Sequence, residues 1–308
     1  MGWAISGSSV AATARDDPPS FFLKPAPFRY ARPRSLADAL ELLGAGEHDV
    51  KLLAGGQSLV PMLNLRLLRP TVLVDLNGVP GLDHIAPLAS GGLTLGALVR
   101  HADLAQSPLV RERTPLLAEA ARHIGHPAIR HRGTLGGSLA HADPAAELPA
   151  ALLVLGAELI LEGPRGSRTV AADRFFQGLL ATALGPDEIL TAVRVPAHGR
   201  GWGFGEVVRR SGDFAMAGVA VVIDRHAPAG SCDSARIVGF GVGDRPMRFA
   251  DSERALLDSD GGDAAARAGA AVTCDPPADV HASAAYRRHL ATVITEDTVR
   301  QALARLSA

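Results

Sequence analysis

Cysteine is nearly absent from this chain: only Cys232 and Cys274 occur in 308 residues. They lie far apart and outside any metal-ligand spacing. This excludes an iron–sulfur cluster held by the chain alone, because such a cluster needs four thiolates. Two lone thiols also make no disulfide framework, and they fit a reducing cytoplasm better than a secreted setting. Aromatic residues are scarce, at 4%, so helices here must pack through small residues rather than present an aromatic face. An excess of one charge is missing too, since 31 Lys and Arg oppose 32 Asp and Glu. That balance leaves no basic stripe for nucleic acid, no polybasic membrane anchor and no acidic tail. No run is long and apolar enough to span a membrane. Residues 1–22 lack the basic start and apolar core of a signal peptide and read as a disordered extension.

What is present is an ordinary globular balance, 47% apolar and 20% charged. At about 150 residues per domain the length suggests two domains. The change of composition at Ala197-His198-Gly199-Arg200-Gly201 divides them into 23–199 and 200–308. Ser35 caps a first helix that runs to Gly44 and Gly46, and strands at 50–54 and 71–75 flank a short turn or helix at 61–68. Further strands are predicted at 93–96, 136–139 and 187–196, with a hairpin joining 158–162 to 168–170. Helices are predicted at 114–122 and 144–155. The second unit reads as strands at 203–209, 218–224 and 235–240 and helices at 251–257, 264–271, 286–293 and 296–306.

Two glycine pairs carry the chemistry. One is Leu53-Ala54-Gly55-Gly56-Gln57-Ser58-Leu59, and the other is Thr134-Leu135-Gly136-Gly137-Ser138. Each alone is adequately explained as a tight turn. Together they suggest opposite walls of one long phosphate-bearing cofactor, because glycine allows positive φ and lets successive N–H groups converge on an anion. Neither is a P-loop or a G-x-G-x-x-G dinucleotide turn. Gly239-Phe240-Gly241-Val242-Gly243 reads as a strand end. Asp143 before Pro144 is accounted for as a helix cap. Glu147 falls one place late for a capping box, and its carboxylate suits a ribose or ribityl hydroxyl. His123, His126, His131 and His141 are separated by helix breakers and read as polar loop residues rather than metal ligands. Arg209-Arg210-Ser211-Gly212-Asp213-Phe214 is either a charged hairpin turn or a phosphate-pairing segment in which Phe214 covers a ring.

Both glycine pairs, Asp143-Pro144, Arg209-Arg210 and Gly212-Asp213-Phe214, in this order, resemble the FAD-binding medium subunits of molybdenum hydroxylases. The resemblance is closest to the carbon monoxide dehydrogenase medium subunit and extends more distantly to the flavin domain of xanthine dehydrogenase. It runs from about Phe28 to near the C-terminus. It implies an α+β fold: a vanillyl-alcohol-oxidase-type (PCMH-type) FAD domain of two subdomains, followed by a smaller α+β domain packed over the flavin. It also implies FAD held by Leu53, Ala54, Gly55, Gly56, Gln57, Ser58 and Leu59 and by Thr134, Leu135, Gly136, Gly137 and Ser138. Glu147 takes a position usually held by a ligating aspartate. Ile124 and Leu190 match apolar positions near the cofactor, and Phe214 matches a residue shielding the isoalloxazine.

Glu206 departs from the pattern, since relatives often carry lysine there, near the flavin ring. An anion at that place disfavours a negatively charged reduced flavin, so either Arg209 takes over the role or Glu206 points away. Glu206→Lys is expected to raise the flavin potential in a redox titration.

The implied function is an oxidoreductase subunit of a cytoplasmic heterotrimer. It accepts electrons from a 2Fe–2S small subunit, itself fed by a molybdenum-cofactor large subunit. It delivers them to NAD, a quinone, oxygen or another carrier, with no catalytic side chain of its own. The alternatives are a stand-alone FAD oxidoreductase of the same fold and a cofactor-free docking subunit.

Overall fold

The computed structural model describes residues 25–44, 49–199, 201–224, 232–258 and 263–307. The extension expected at 1–22 and the helix-stopping role of Gly46 lie outside the described residues. The first unit is a parallel sheet in the order β1-β3-β2, from β1 (Arg29–Ala31), β2 (Val50–Leu53) and β3 (Val72–Asp75). Helix α1 (Leu36–Gly44) lies between β1 and β2, with the Ser35 hydroxyl accepting the Asp38 N–H at its start. Helix α2 (Leu59–Asn64) follows β2, so the first glycine pair sits at the carboxyl end of a parallel strand, where α/β layers bind ligands.

The second unit contains β4 (Ile85–Pro87), β5 (Leu93–Gly96), the helices α3 (His101–Gln106), α4 (Pro108–Arg113), α5 (Pro115–His123), α6 (Pro127–Arg130), α7 (Leu135–His141) and α8 (Glu147–Val154), and then β6 (Glu158–Gly163) and β7 (Gly166–Ala171). It is completed by α9 (Ala172–Phe175), the small pair β8 (Phe176–Gly178) and β9 (Ala181–Thr182), and β10 (Ile189–Val195). Its sheet has the order β4-β5-β10-β6-β7 and is antiparallel throughout. The final unit is the sheet β11 (Gly201–Val208), β12 (Ala215–Asp224), β13 (Ser234–Phe240) and β14 (Met247–Arg248), with α10 (Ala250–Leu257), α11 (Ala264–Ala270) and α12 (Ala284–Leu306).

Strand β12 shows how these layers join. Ala217, Val219, Val221 and Ile223 pack with the C-terminal helices, while Ala220 and Val222 join the core of α5 and α8. Alternate side chains of one strand point to opposite faces, so β12 is buried on both. Helices α5 and α8 are thereby sandwiched between two sheets, and α8 is buried along its whole length. No helix among the described residues is long and apolar enough to cross a membrane.

Three sequence expectations need correction. Residues 136–139 are helical in α7, because Thr134 caps them and accepts the Gly137 N–H on its hydroxyl at 3.2 Å. The helix expected from Pro144 begins at Glu147; Asp143 instead accepts the Ala145 N–H at 2.8 Å and stabilises a turn. The helices expected at 286–293 and 296–306 are one, since the β-branched stretch between them is buried and Thr298 returns its hydroxyl to the Ile294 carbonyl at 2.7 Å.

Candidate functional site

The fold brings the two glycine segments into contact. Gly55 is buried so closely that a Cβ there would strike the Arg132 carbonyl and lie 2.7 Å from Gly133 Cα. A Cβ on Gly137 would lie 2.7 Å from the Thr134 hydroxyl and 3.9 Å from Ala54 Cβ. Gly56 takes φ +73°, a left-handed conformation that strains any side chain.

Hydrogen-bond accounting separates the two segments. Among the described residues no partner takes the backbone N–H groups of Gly55, Gly56, Gln57 or Ser58. Successive free donors around a left-handed glycine form an anion-binding concavity. In the second segment the N–H groups of Leu135 and Gly136 go to the carbonyls of Val99 and Ala97, and that of Gly137 goes to Thr134. The expectation that both pairs offer N–H groups to an anion is therefore corrected. The second segment contributes close approach and the Ser138 hydroxyl, because capping a helix consumes its donors.

Beneath both segments runs a polar brace that sequence reading missed. The Tyr30 hydroxyl donates to Asp75 at 2.5 Å, and Asn77 Nδ2 donates to Asp75 at 2.5 Å and to the Ala54 carbonyl at 2.8 Å. Arg100 donates to Asn77 Oδ1 at 2.6 Å and to the Arg132 carbonyl at 2.5 Å. Asn77 thus holds one glycine segment and Arg100 the other. Hydrogen bonds from Tyr30 and Asn77 hold the Asp75 carboxyl below its usual range despite the opposing effect of burial. The signal available in sequence was the Asp75-Leu76-Asn77 run closing an apolar strand, but its partners are 45 residues upstream and 23 downstream. Under the second segment His101 gives Nε2 to the Thr134 carbonyl at 2.9 Å, and burial lowers it to about 4, so the ring is neutral.

A second arm gathers acids. Glu147 is buried at the first turn of α8, and burial together with the nearby Glu206 pushes it up to about 8. At neutral pH it is therefore protonated and can donate as well as accept, which widens the acceptor-only role expected for it. Glu206 lies beside Phe204 on the α5-facing side of β11, and its Oε1 is 3.2 Å from His123 Nδ1. Of the two residues weighed there, Arg209 is exposed, and the Glu206 carboxylate points inward onto His123. The hydrogen bond to Glu206 raises the His123 imidazole above its usual range. His123 therefore ends a helix and joins a half-buried charge cluster rather than a polar loop.

The segment between the arms links them. Arg130 donates to the carbonyls of Ile124 and Gly125, fixing the backbone at Ile124. Gly212 (φ +89°) packs so closely on the His126 ring that a Cβ would lie 2.6 Å from Cε1. Phe214, two residues on, is 68% exposed above this contact. Leu53 ends β2 and Leu59 begins α2, bracketing the first segment. Leu135 and Leu190 are side chains of the main core, with Leu190 on β10, against which α7 packs.

The arrangement fits a long cofactor with a diphosphate at one end and hydrogen-bonding ring and hydroxyl groups at the other. The free N–H row answers the anion. The buried Glu206 Oε2, which has no partner, answers a donor.

Comparison with known proteins agrees. The family described as the FAD binding domain in molybdopterin dehydrogenase matches residues 26–198, and the CO dehydrogenase flavoprotein C-terminal domain matches residues 202–302. The nicotine 6-hydroxylase medium subunit of Paenarthrobacter nicotinovorans is 43% identical, over 90% of this chain and 98% of its own length. A carbon monoxide dehydrogenase structure from Hydrogenophaga pseudoflava superposes with a TM-score of 0.87 at 39% identity, covering 91% of this chain and 99% of that one. Quinoline 2-oxidoreductase from Pseudomonas putida 86 gives 0.88 at 35% identity, covering 92% and 100%. With the two-domain match, the α+β layers and the paired glycine segments in place, the chain belongs to the FAD-binding medium subunits of molybdenum hydroxylases.

Proposed function

We propose that this chain is the FAD-carrying electron-transfer subunit of a molybdenum hydroxylase heterotrimer. It takes electrons from iron–sulfur clusters on a small partner subunit, downstream of a molybdenum-cofactor large subunit. It passes them to an external acceptor such as NAD, a quinone or oxygen. The observation that carries this reading is the row of unpartnered N–H groups at Gly55, Gly56, Gln57 and Ser58, closed over by the second glycine segment.

On this reading residues 23–199 hold the cofactor and 200–308 pack over it. Residues 53–59 would hold the pyrophosphate, Ser138 and Glu147 the ribityl hydroxyls, and Ile124 and Phe214 the two faces of the ring. FAD, once bound, supplies the redox chemistry. The chain's residues bind it, orient it and exclude water, and none is needed as a general base. With two cysteines the chain has too few thiolates for a cluster, so the partner must supply one. The same thiols favour a cytoplasmic setting.

The test is purification with any partner chains, followed by a visible spectrum and identification of the released flavin. FAD with co-purifying molybdenum and iron–sulfur chains, and flavin bleaching when the large subunit's substrate is added, is the expected result. A folded chain that is colourless and rejects added FAD overturns it.

A further inference from the structure

The last turns of α3, α4, α5 and α6 meet around a cavity of about 540 Å³, lined by Ala105, Gln106, Arg111, Arg122 and Arg130. No residue of either glycine segment lines it. A basic side chain in a helix's last turn is ordinary, because it answers the negative end of the dipole. That accounts for each arginine singly. It does not account for three guanidiniums from three helices sharing one cavity with an amide and no acid.

Two of the three are fixed through carbonyls. Arg111 Nε donates to the Ala105 carbonyl at 3.1 Å, and one terminal nitrogen of Arg130 donates to the Ile124 and Gly125 carbonyls at 2.9 and 2.8 Å. A carbonyl orients a guanidinium without neutralising it. Among the described residues no carboxylate pairs with Arg111 or Arg130, and their remaining N–H groups have no protein acceptor. Arg122 reaches Glu119 only at 3.8 Å, and that acid also serves His123 at 3.3 Å. Three cations gathered this way repel one another, and an anion between them relieves the repulsion. The planar fork of arginine matches a phosphate with two parallel hydrogen bonds.

We propose that this cavity is a phosphate-binding site for a nucleotide-sized ligand, separate from the N–H row at Gly55, Gly56, Gln57 and Ser58. Its volume falls among those of small-molecule sites, about 300–1,000 Å³, and far exceeds what one phosphate fills. Arg111, Arg122 and Arg130 take the phosphate oxygens. The Gln106 amide, which donates and accepts, serves the rest of the ligand. Through Arg130 the bound phosphate is tied to the backbone of Ile124 and Gly125. A dinucleotide electron acceptor and a nucleotide effector share this chemistry. The site stands on its own residues and does not require the flavoprotein reading.

The experiment is calorimetric titration of the FAD-loaded chain with ADP, NAD⁺, inorganic phosphate and adenosine. Bound FAD keeps the nucleotides out of the flavin's own site. The expected result is that ADP and NAD⁺ bind, adenosine does not, and added salt weakens the binding. Arg111→Gln and Arg122→Gln should each weaken it about tenfold or more, as for a lost charged hydrogen bond, with flavin per chain unchanged. Both side chains are exposed, so the variants should fold. Tighter binding of NAD⁺ than of ADP identifies a dinucleotide acceptor, and the reverse identifies an effector nucleotide. The proposal is overturned if neither nucleotide binds, if inorganic phosphate binds as tightly as ADP, or if both folded variants keep the wild-type affinity. Should the chain take up no flavin, the flavoprotein reading fails alone, and the same two variants still decide this site.

Discussion

Gly55 is held to glycine by its neighbour rather than by its own φ. A methyl group there runs into the backbone of Arg132 and Gly133, which cannot swing aside as a side chain can. Gly55→Ala should therefore part the two segments and abolish FAD retention, measured as flavin per chain after gel filtration. Gly44→Ala, with nothing within 4 Å of the added carbon, should retain it. Gly137→Ala should weaken retention less, since it presses only on the Thr134 hydroxyl. The paired glycines were visible in sequence, but the different reason at each required coordinates.

At Glu147 the prediction concerns pH. Its folded pKa, about 8, exceeds the ordinary 4.5, so between these values the folded chain binds more protons than the unfolded one. Stability contributed by the protonated form is complete below about pH 4.5 and lost as pH rises toward 8, by roughly 3–5 kcal/mol in total. Denaturant titrations of the FAD-free chain should show this alkaline loss, and Glu147→Gln should flatten it. The carboxylate itself was legible as a candidate. Its protonation was not, because it depends on burial between the layers and on Glu206, which is distant in sequence.

Elements show where local rules prevail and where they fail. Helix α1 follows its sequence signals from Ser35 to Gly44 because its cap and apolar face are both local. Helix α7 defies a strand reading because Gly136 packs against Ala97, while Thr134 supplies the cap. The intrinsic preference of glycine against helix is about 1 kcal/mol per residue. Tertiary contact outweighs it. The brace linking β3, the turn after it and α3 is an element-scale device, and its effect should exceed its stability contribution. Asn77→Leu frees the Ala54 carbonyl and strands Arg100 without a side-chain partner, so FAD affinity should fall about tenfold or more, equivalent to one lost buried hydrogen bond. Titration of the FAD-free variant with FAD checks this. Unchanged affinity in a folded Asn77→Leu chain would show that the loops need no such support.

For the molecule as a whole, the decisive feature is the shared core. Phe240 is fully buried, stacks on Phe204, and joins the β11–β14 sheet to the layer of α5 and α8. The units on either side therefore unfold together. Phe240→Ala should cost about 3–5 kcal/mol, and scanning calorimetry should still show one transition. Two separated transitions would mean that each unit is stable alone.

By itself the sequence determined the division of chemistry: too few thiols for a cluster, near-neutral charge, and paired glycines in an order shared with flavin subunits. It also determined the elements whose caps and periodicity are local, from α1 to the β6–β7 hairpin. Only the tertiary structure decided that one glycine segment keeps free N–H donors while the other spends them, that Asn77 and Arg100 hold the two together, and that His123 pairs with the buried Glu206. The reason is the same in each case. These outcomes depend on which donors and charges meet in space across 23 to 83 residues of chain, and on the low dielectric that surrounds them once the layers close.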